Sequence, residues 1–169
     1  MNMRVALAAV AAGAVTLCAS AAVAAPLVLD KKLILAEHNK YRAAVGSPPI
    51  TWSDKLAEGA QHWADTIALL GEMKHSGTSE IGENLAFWRT STASLSTMIR
   101  MWEQEKQLFQ PGTFPNVSRD GNWLSVSHYS QMVWRRTTQV GCGIGNNGKN
   151  DFLVCWYSPQ GNYIGQAPY

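Results

Sequence analysis

Charge and cysteine are both scarce in this chain. Charged residues make up 15% of its 169 positions, fourteen basic against twelve acidic, for a net charge of +2. Nothing in that balance argues for nucleic acid or an acidic substrate. There are no internal repeats, low-complexity tracts or linkers, and the length suits one domain large enough to bury a sizeable core. The common hydrolase signatures are missing too: no H-E-x-x-H helix and no G-x-S-x-G turn.

Of three cysteines, Cys18 lies in an N-terminal stretch laid out as a cleavable secretory signal. Arg4 supplies the basic start, Val5 to Leu17 the apolar run, and Ala22-Val23-Ala24 the small residues before the cut. The run is too short and too alanine-rich for a membrane anchor. Cleavage is expected after Ala24, since a cut one residue later would put Pro26 beside the scissile bond; Ala21 remains an alternative. The division is therefore a signal over 1–24 and one domain over 25–169, secreted, or periplasmic in a Gram-negative cell. Removing Arg4 lowers the net charge from +2 to +1, and Cys142 and Cys155 remain as an even pair in an exported protein.

Asp30 can cap a helix with Ile34, His38, Tyr41 and Val45 on one face, ending at Gly46 before Pro48-Pro49. Ser53 opens a second helix with the stripe Leu56, Ala60, Trp63, Ile67 and Leu70, stopped by Gly71. From Glu72 to Phe87 the periodicity fails, yet this irregular stretch carries His75 and Glu83. A third helix is expected from about Ser91 to Phe109, followed by a loop of Pro, Gly and exposed-looking aromatics. After the short helix SHYSQMVW, QVGCGIG and FLVCWY read as strands joined at Asn147-Gly148, a hairpin signal. Cys142 and Cys155 lie symmetrically about that turn, so a bridge between paired strands is expected. Helices and strands in one domain give an α+β class.

Four segments in order, HNKYR at 38–42, GENLA at 82–86, SHYSQMVW at 127–134 and FLVCWYSPQGNYIGQ at 152–166, resemble the CAP superfamily of cysteine-rich secretory, antigen 5 and pathogenesis-related class 1 proteins. The resemblance runs from about Asp30 to Tyr169. It departs at Ser127, where the family usually has Gly, and in having fewer cysteines. It implies a three-layer α/β/α sandwich with a central, mainly antiparallel sheet, and so more strands than the two visible above.

The resemblance also implies a cleft lined by His75, Glu83, Glu105 and His128. Glu105 is preferred to Glu103 because family members place a glutamate three residues after a tryptophan, here Trp102; helical phase agrees mildly. His75 and His128 would be the ligands of Zn²⁺ or another divalent ion, with the carboxylates holding a metal-bound water or orienting the imidazoles. His38 is expected to be a core histidine and His62 a surface one. Trp63, Trp102, Trp134 and Trp156 read as core aromatics, whereas Trp88, Phe109, Phe114 and Trp123 are hard to place there.

Three functions compete. The resemblance suggests capture of a sterol or fatty acid, with Phe109, Phe114 and Trp123 as contacts in the aromatic loop, or the first helix and SHYSQMVW as an apolar groove. A metal-dependent hydrolase would use Glu83 or Glu105 as general base. A secreted interaction module would bind a surface protein. The reading taken is a monomeric, non-enzymatic binder of a small apolar ligand or a surface partner.

Overall fold

A computed structural model describes residues 25–169; the signal expected over 1–24, with Cys18, lies outside them. Helices α1 (Lys31–Ala44), α2 (Asp54–Leu70), α3 (Leu95–Gln104) and α4 (Ser127–Val133) enclose strands β1 (Thr51–Trp52), β2 (Gly82–Arg89), β3 (Gln139–Asn146) and β4 (Asn150–Ser158). The sheet order is β1-β3-β4-β2, with β1 parallel to β3 and the other pairs antiparallel. Helix α2 covers one face, and α1, α3 and α4 cover the other. This is the three-layer sandwich.

Local signals set the first two helices. Asp30 accepts from Lys32 N and Leu33 N, and Ser53 accepts from Leu56 N, so both N-terminal turns are capped by their own sequence. Gly71 closes α2 at φ 71°, a left-handed position that suits glycine. Leu70 is exposed rather than packed, and Ala64 and Ala68 share the buried stripe with Leu56, Ala60 and Ile67. The third helix is shorter than its periodicity suggests: it begins after the cap Ser94 and tightens into a 3₁₀ turn at Glu105–Gln107. The stretch expected to be irregular ends in β2, whose inward residues include the polar Asn84.

Alternate residues of β3 set the spacing between layers. Gly141, Gly143 and Gly145 face α2, and a β-carbon on any of them would collide with helix backbone, at Ala57, Gln61 and Ala64 respectively. The helix therefore lies directly on the strand. Their neighbours Val140, Cys142 and Ile144 point the other way, into the larger core.

Arg42 is a fully buried cation in that core. Its guanidinium donates to the carbonyls of Pro48, Met132, Trp134 and Thr137 at 2.7–3.0 Å. Burial lowers its pKa to about 10, still charged at neutral pH. It ties α1 to the carbonyl end of α4, where a cation is favoured by unpaired helix carbonyls.

Cys142 and Cys155 are register partners in adjacent strands and are joined as a disulfide. By the chain-entropy estimate a loop this short contributes roughly 2–3 kcal/mol. Alkylation of the unreduced, denatured protein is expected to label neither cysteine; labelling of both would refute the bridge.

Candidate functional site

His75 and Glu83 form one pair at the end of the sheet. Glu83, near the start of β2, is the register partner of Trp156 on β4, so the two side chains share the α2 face. Its Oε1 accepts from His75 Nδ1 at 2.5 Å and from Ser76 N at 3.0 Å, while Oε2 accepts from Trp156 Nε1 at 2.8 Å. Burial pushes the Glu83 carboxyl up, but these bonds outweigh it and hold it below its usual range. The bond to Glu83 lifts His75 above the usual imidazole range, against the opposing effect of burial. Trp156 is thus a support of the site as well as an aromatic packed over Gly59.

His128 and Glu105 form the second pair, on the other helical layer. Glu105 Oε1 accepts from His128 Nδ1 at 2.5 Å, and its Oε2 accepts from the backbone N–H of His128 and of Tyr129 at 2.9 and 3.0 Å. The residue before α4 is Val126, which offers no side-chain cap, so Glu105 supplies that cap from outside the helix. Trp102 stacks on the His128 ring at 6.2 Å between centroids, and Asn84 donates to the His128 carbonyl. It is Glu105, and not Glu103, that reaches His128.

His75, Glu83 and His128 line one cleft of about 380 Å³, together with Gln131, Asn162 and the Trp123-Leu124 pair. Glu105 stands behind His128 rather than in the lining. The carboxylates are acceptors only, so each Nδ1 carries its proton and each neutral ring keeps its lone pair on Nε2. Neither Nε2 has a hydrogen-bond partner among the described residues. No group of three or more His, Cys, Asp or Glu side chains is arranged to hold a metal among those residues. A divalent ion there could draw on no more than the two imidazoles, and not on a closed four-ligand site.

The loop aromatics divide differently from expectation. Phe109 and Phe114 are core residues, 5% and 4% exposed. Phe109 packs edge-on to Tyr129, and Phe114 packs on Trp134. The loop is folded back by Gln110 N to Val117 O and Arg119 N to Leu108 O. The C-terminal segment clamps it through Phe114 N to Gln166 O and Gly165 N to Phe114 O. Trp123 remains 38% exposed and Leu124 59%. Trp88 is also partly exposed, as expected; Trp102 and Trp134 are buried, while Trp63 and Trp156 are half-buried. His62 is at the surface and His38 is fully buried.

Comparison with known proteins gives a consistent result. Residues 35–157 match the family described as CAP, the cysteine-rich secretory protein family. The chain is 35% identical over 165 residues to venom allergen 5.02 of Dolichovespula maculata, covering 83% of this chain and 76% of that one. It is 37% identical over 133 residues to a pathogenesis-related protein of PR-1 type from Sambucus nigra, covering 78% and 77%. Among solved structures, NaASP2 with Zn²⁺ superposes with a TM-score of 0.69 at 22% identity, covering 82% of this chain and 83% of that one.

Proposed function

The chain belongs to the cysteine-rich secretory protein (CAP) family, and from that premise we propose a secreted, non-enzymatic binding protein whose cleft takes a small amphipathic lipid, a fatty acid or a sterol. The observation that carries this reading is the pairing of unlike surfaces in one cleft. Two imidazoles with unengaged Nε2 atoms face the same space as Trp123 and Leu124. A ligand with one polar head and an apolar body matches both. Among the described residues no helix is long and apolar enough to cross a membrane.

A hydrolytic role fits the geometry less well. Both carboxylates already accept a ring N–H and two further N–H bonds each. Each therefore keeps about one of its four lone-pair positions for a proton from an attacking water. A divalent ion in the cleft would be held by His75 and His128, with Glu83 and Glu105 fixing the ring tautomers. It would supply a positive centre for the ligand's head group.

Fluorescent fatty acid and sterol analogues are expected to bind with micromolar affinity, about −8 kcal/mol. The double change Trp123→Ala, Leu124→Ser should weaken binding roughly tenfold, from lost apolar contact of order 1.5 kcal/mol. Phe114 is unsuitable for this test, because removing a core aromatic costs about 3–5 kcal/mol of stability by itself. Failure of both lipid classes to bind would leave the interaction-module function in its place. In calorimetry, His75→Ala with His128→Ala should abolish Zn²⁺ binding, whereas Glu83→Gln should weaken it roughly 10–100-fold. Zinc bound equally well by the double variant would remove these two residues from the metal's shell.

A further inference from the structure

At the far end of the sheet from the cleft, a second concavity of about 500 Å³ is lined by Arg89, Thr90, Gly148, Lys149 and Asn150. Arg89 closes β2, and the β3–β4 turn supplies Gly148 and Lys149. Two of the five lining residues are cations and none is an acid. Neither Arg89 nor Lys149 has an ion-pair partner among the described residues. Arg89 is the register partner of Asn150, so both side chains lie on one face, whereas the adjacent Asp151 points to the other. That carboxylate is buried and accepts from Leu27 N and Asn146 Nδ2. The carboxylate nearest in sequence is thus occupied on the opposite side of the sheet.

Hydrogen bonds hold the floor of this concavity. Thr90 N donates to Lys149 O at 2.9 Å, and the buried Thr90 hydroxyl accepts from Asn146 Nδ2 at 2.8 Å. Asn147 Oδ1 accepts from Lys149 N and Asn150 N, and Asn146 Oδ1 from Gly148 N, so side chains brace the turn that carries Lys149. A guanidinium fork and an ammonium mounted on a braced turn, with no acid between them, are the elements of oxyanion recognition.

We propose that this concavity binds a tetrahedral oxyanion, a sulfate or phosphate group carried by a small ligand, independently of the His/Glu cleft. Arg89 supplies two parallel N–H donors, Lys149 a point charge, and the open volume leaves room for the ligand's remainder.

The test is an amide NMR titration of the secreted protein with sodium sulfate and sodium phosphate against sodium chloride at matched ionic strength. Expected are saturable shifts at Thr90, Gly148, Lys149 and Asn150, with the resonances of His75 and His128 unmoved. Arg89→Ala and Lys149→Ala should each weaken binding at least roughly tenfold, Arg89→Ala the more because it removes two charge-assisted bonds, and together abolish it. A sulfated disaccharide and a phosphorylated monosaccharide then distinguish the two sources of the group; tighter binding of either than of its inorganic ion supports a ligand site. Both Ala positions are on the surface, and unchanged circular dichroism confirms that the variants fold. Shifts that rise linearly without saturation, that saturate at the cleft instead, or that survive in the double variant would overturn the proposal.

Discussion

Gly143→Val is expected to destabilise the protein by at least about 3 kcal/mol, at the upper end of overpacking costs in a core. Valine is a good strand former, so propensity alone would favour the change. The clash decides otherwise, because the atoms that the new side chain meets are the backbone N and Cα of Gln61 in α2. Backbone inside a helix cannot turn aside as a side chain can. The helix must lift off the strand, which breaks contacts along Ala60, Ala64, Ile67 and Ala68 and the Gln61 side-chain bonds to the Ile144 backbone. For a domain of this size the midpoint should fall by roughly 10 °C. Ile144→Val, one residue along and on the opposite face, removes only a methylene and should cost about 1 kcal/mol. Urea unfolding of the two variants measures the contrast, and a Gly143→Val protein within about 1 kcal/mol of wild type would mean that α2 does not rest on the strand backbone.

The stability of the fold should decline by about 3 kcal/mol as pH falls from neutral to about 4, through one residue, His38. Its Nδ1–H donates to Ile34 O at 2.8 Å, so Nε2 carries the lone pair and accepts from the Tyr157 hydroxyl at 2.8 Å. Tyr157 in turn accepts from Asn84 Nδ2. Each proton in this buried chain already has its acceptor, and a second proton on His38 would leave the Tyr157 hydrogen without one. Burial is the largest cause lowering the His38 pKa to about 4, with the Arg42 charge adding to it; the bond to Ile34 opposes. The unfolded residue titrates near 6.5. Between those values the unfolded chain takes up a proton that the native chain refuses, so stability is whole above 6.5 and is lost progressively below it. His75, raised by Glu83, acts in the opposite sense: its contribution is full below 6.5 and fades as pH rises through its folded value. It is largely exposed, so its share is small. Glu83, held low, adds to the acid loss as pH falls below its usual range. Denaturant unfolding at pH 7, 5.5 and 4.5 should show His38→Leu less stable at pH 7, yet with a flatter slope toward acid. An unchanged slope would exclude His38 as the source.

Elements with local causes could be read directly from the amino acids. Asp30, Ser53 and Gly71 act within three residues of the helix ends they govern, and Asn147-Gly148 governs the turn in which it lies. Strand β2 could not be read this way, because its buried positions include Gly82 and Asn84, which carry no hydrophobic signal. Asn84 is inside because Tyr157, from β4, offers it a hydrogen bond. Phe109 and Phe114 occupy a segment whose Pro and Gly content looks exposed; Phe114 is clamped by Gly165 and Gln166 some fifty residues away, and Phe109 packs on Tyr129 and Tyr169. The cleft shows the same division. The spacing shared with relatives of known fold selected Glu105, but its service as the cap of α4 follows from a contact 23 residues apart, and Trp156 reaches Glu83 across 73.

The two histidine pairs hang from opposite layers of the sandwich. His75 and Glu83 are carried by the α2 side of the sheet, and His128 and Glu105 by the side that holds α3 and α4. The gap between the imidazoles is consequently a gauge of how the two helical layers sit relative to each other. Any ligand that spans both rings would act as a tie rod across the sheet, resisting sliding of one layer over the other. The glycine contact between α2 and β3 keeps that gauge in calibration from the opposite direction, since a helix seated on backbone has almost no play. A substitution in the α2 layer, well away from the cleft, would therefore be felt there as a change in span before any change in chemistry.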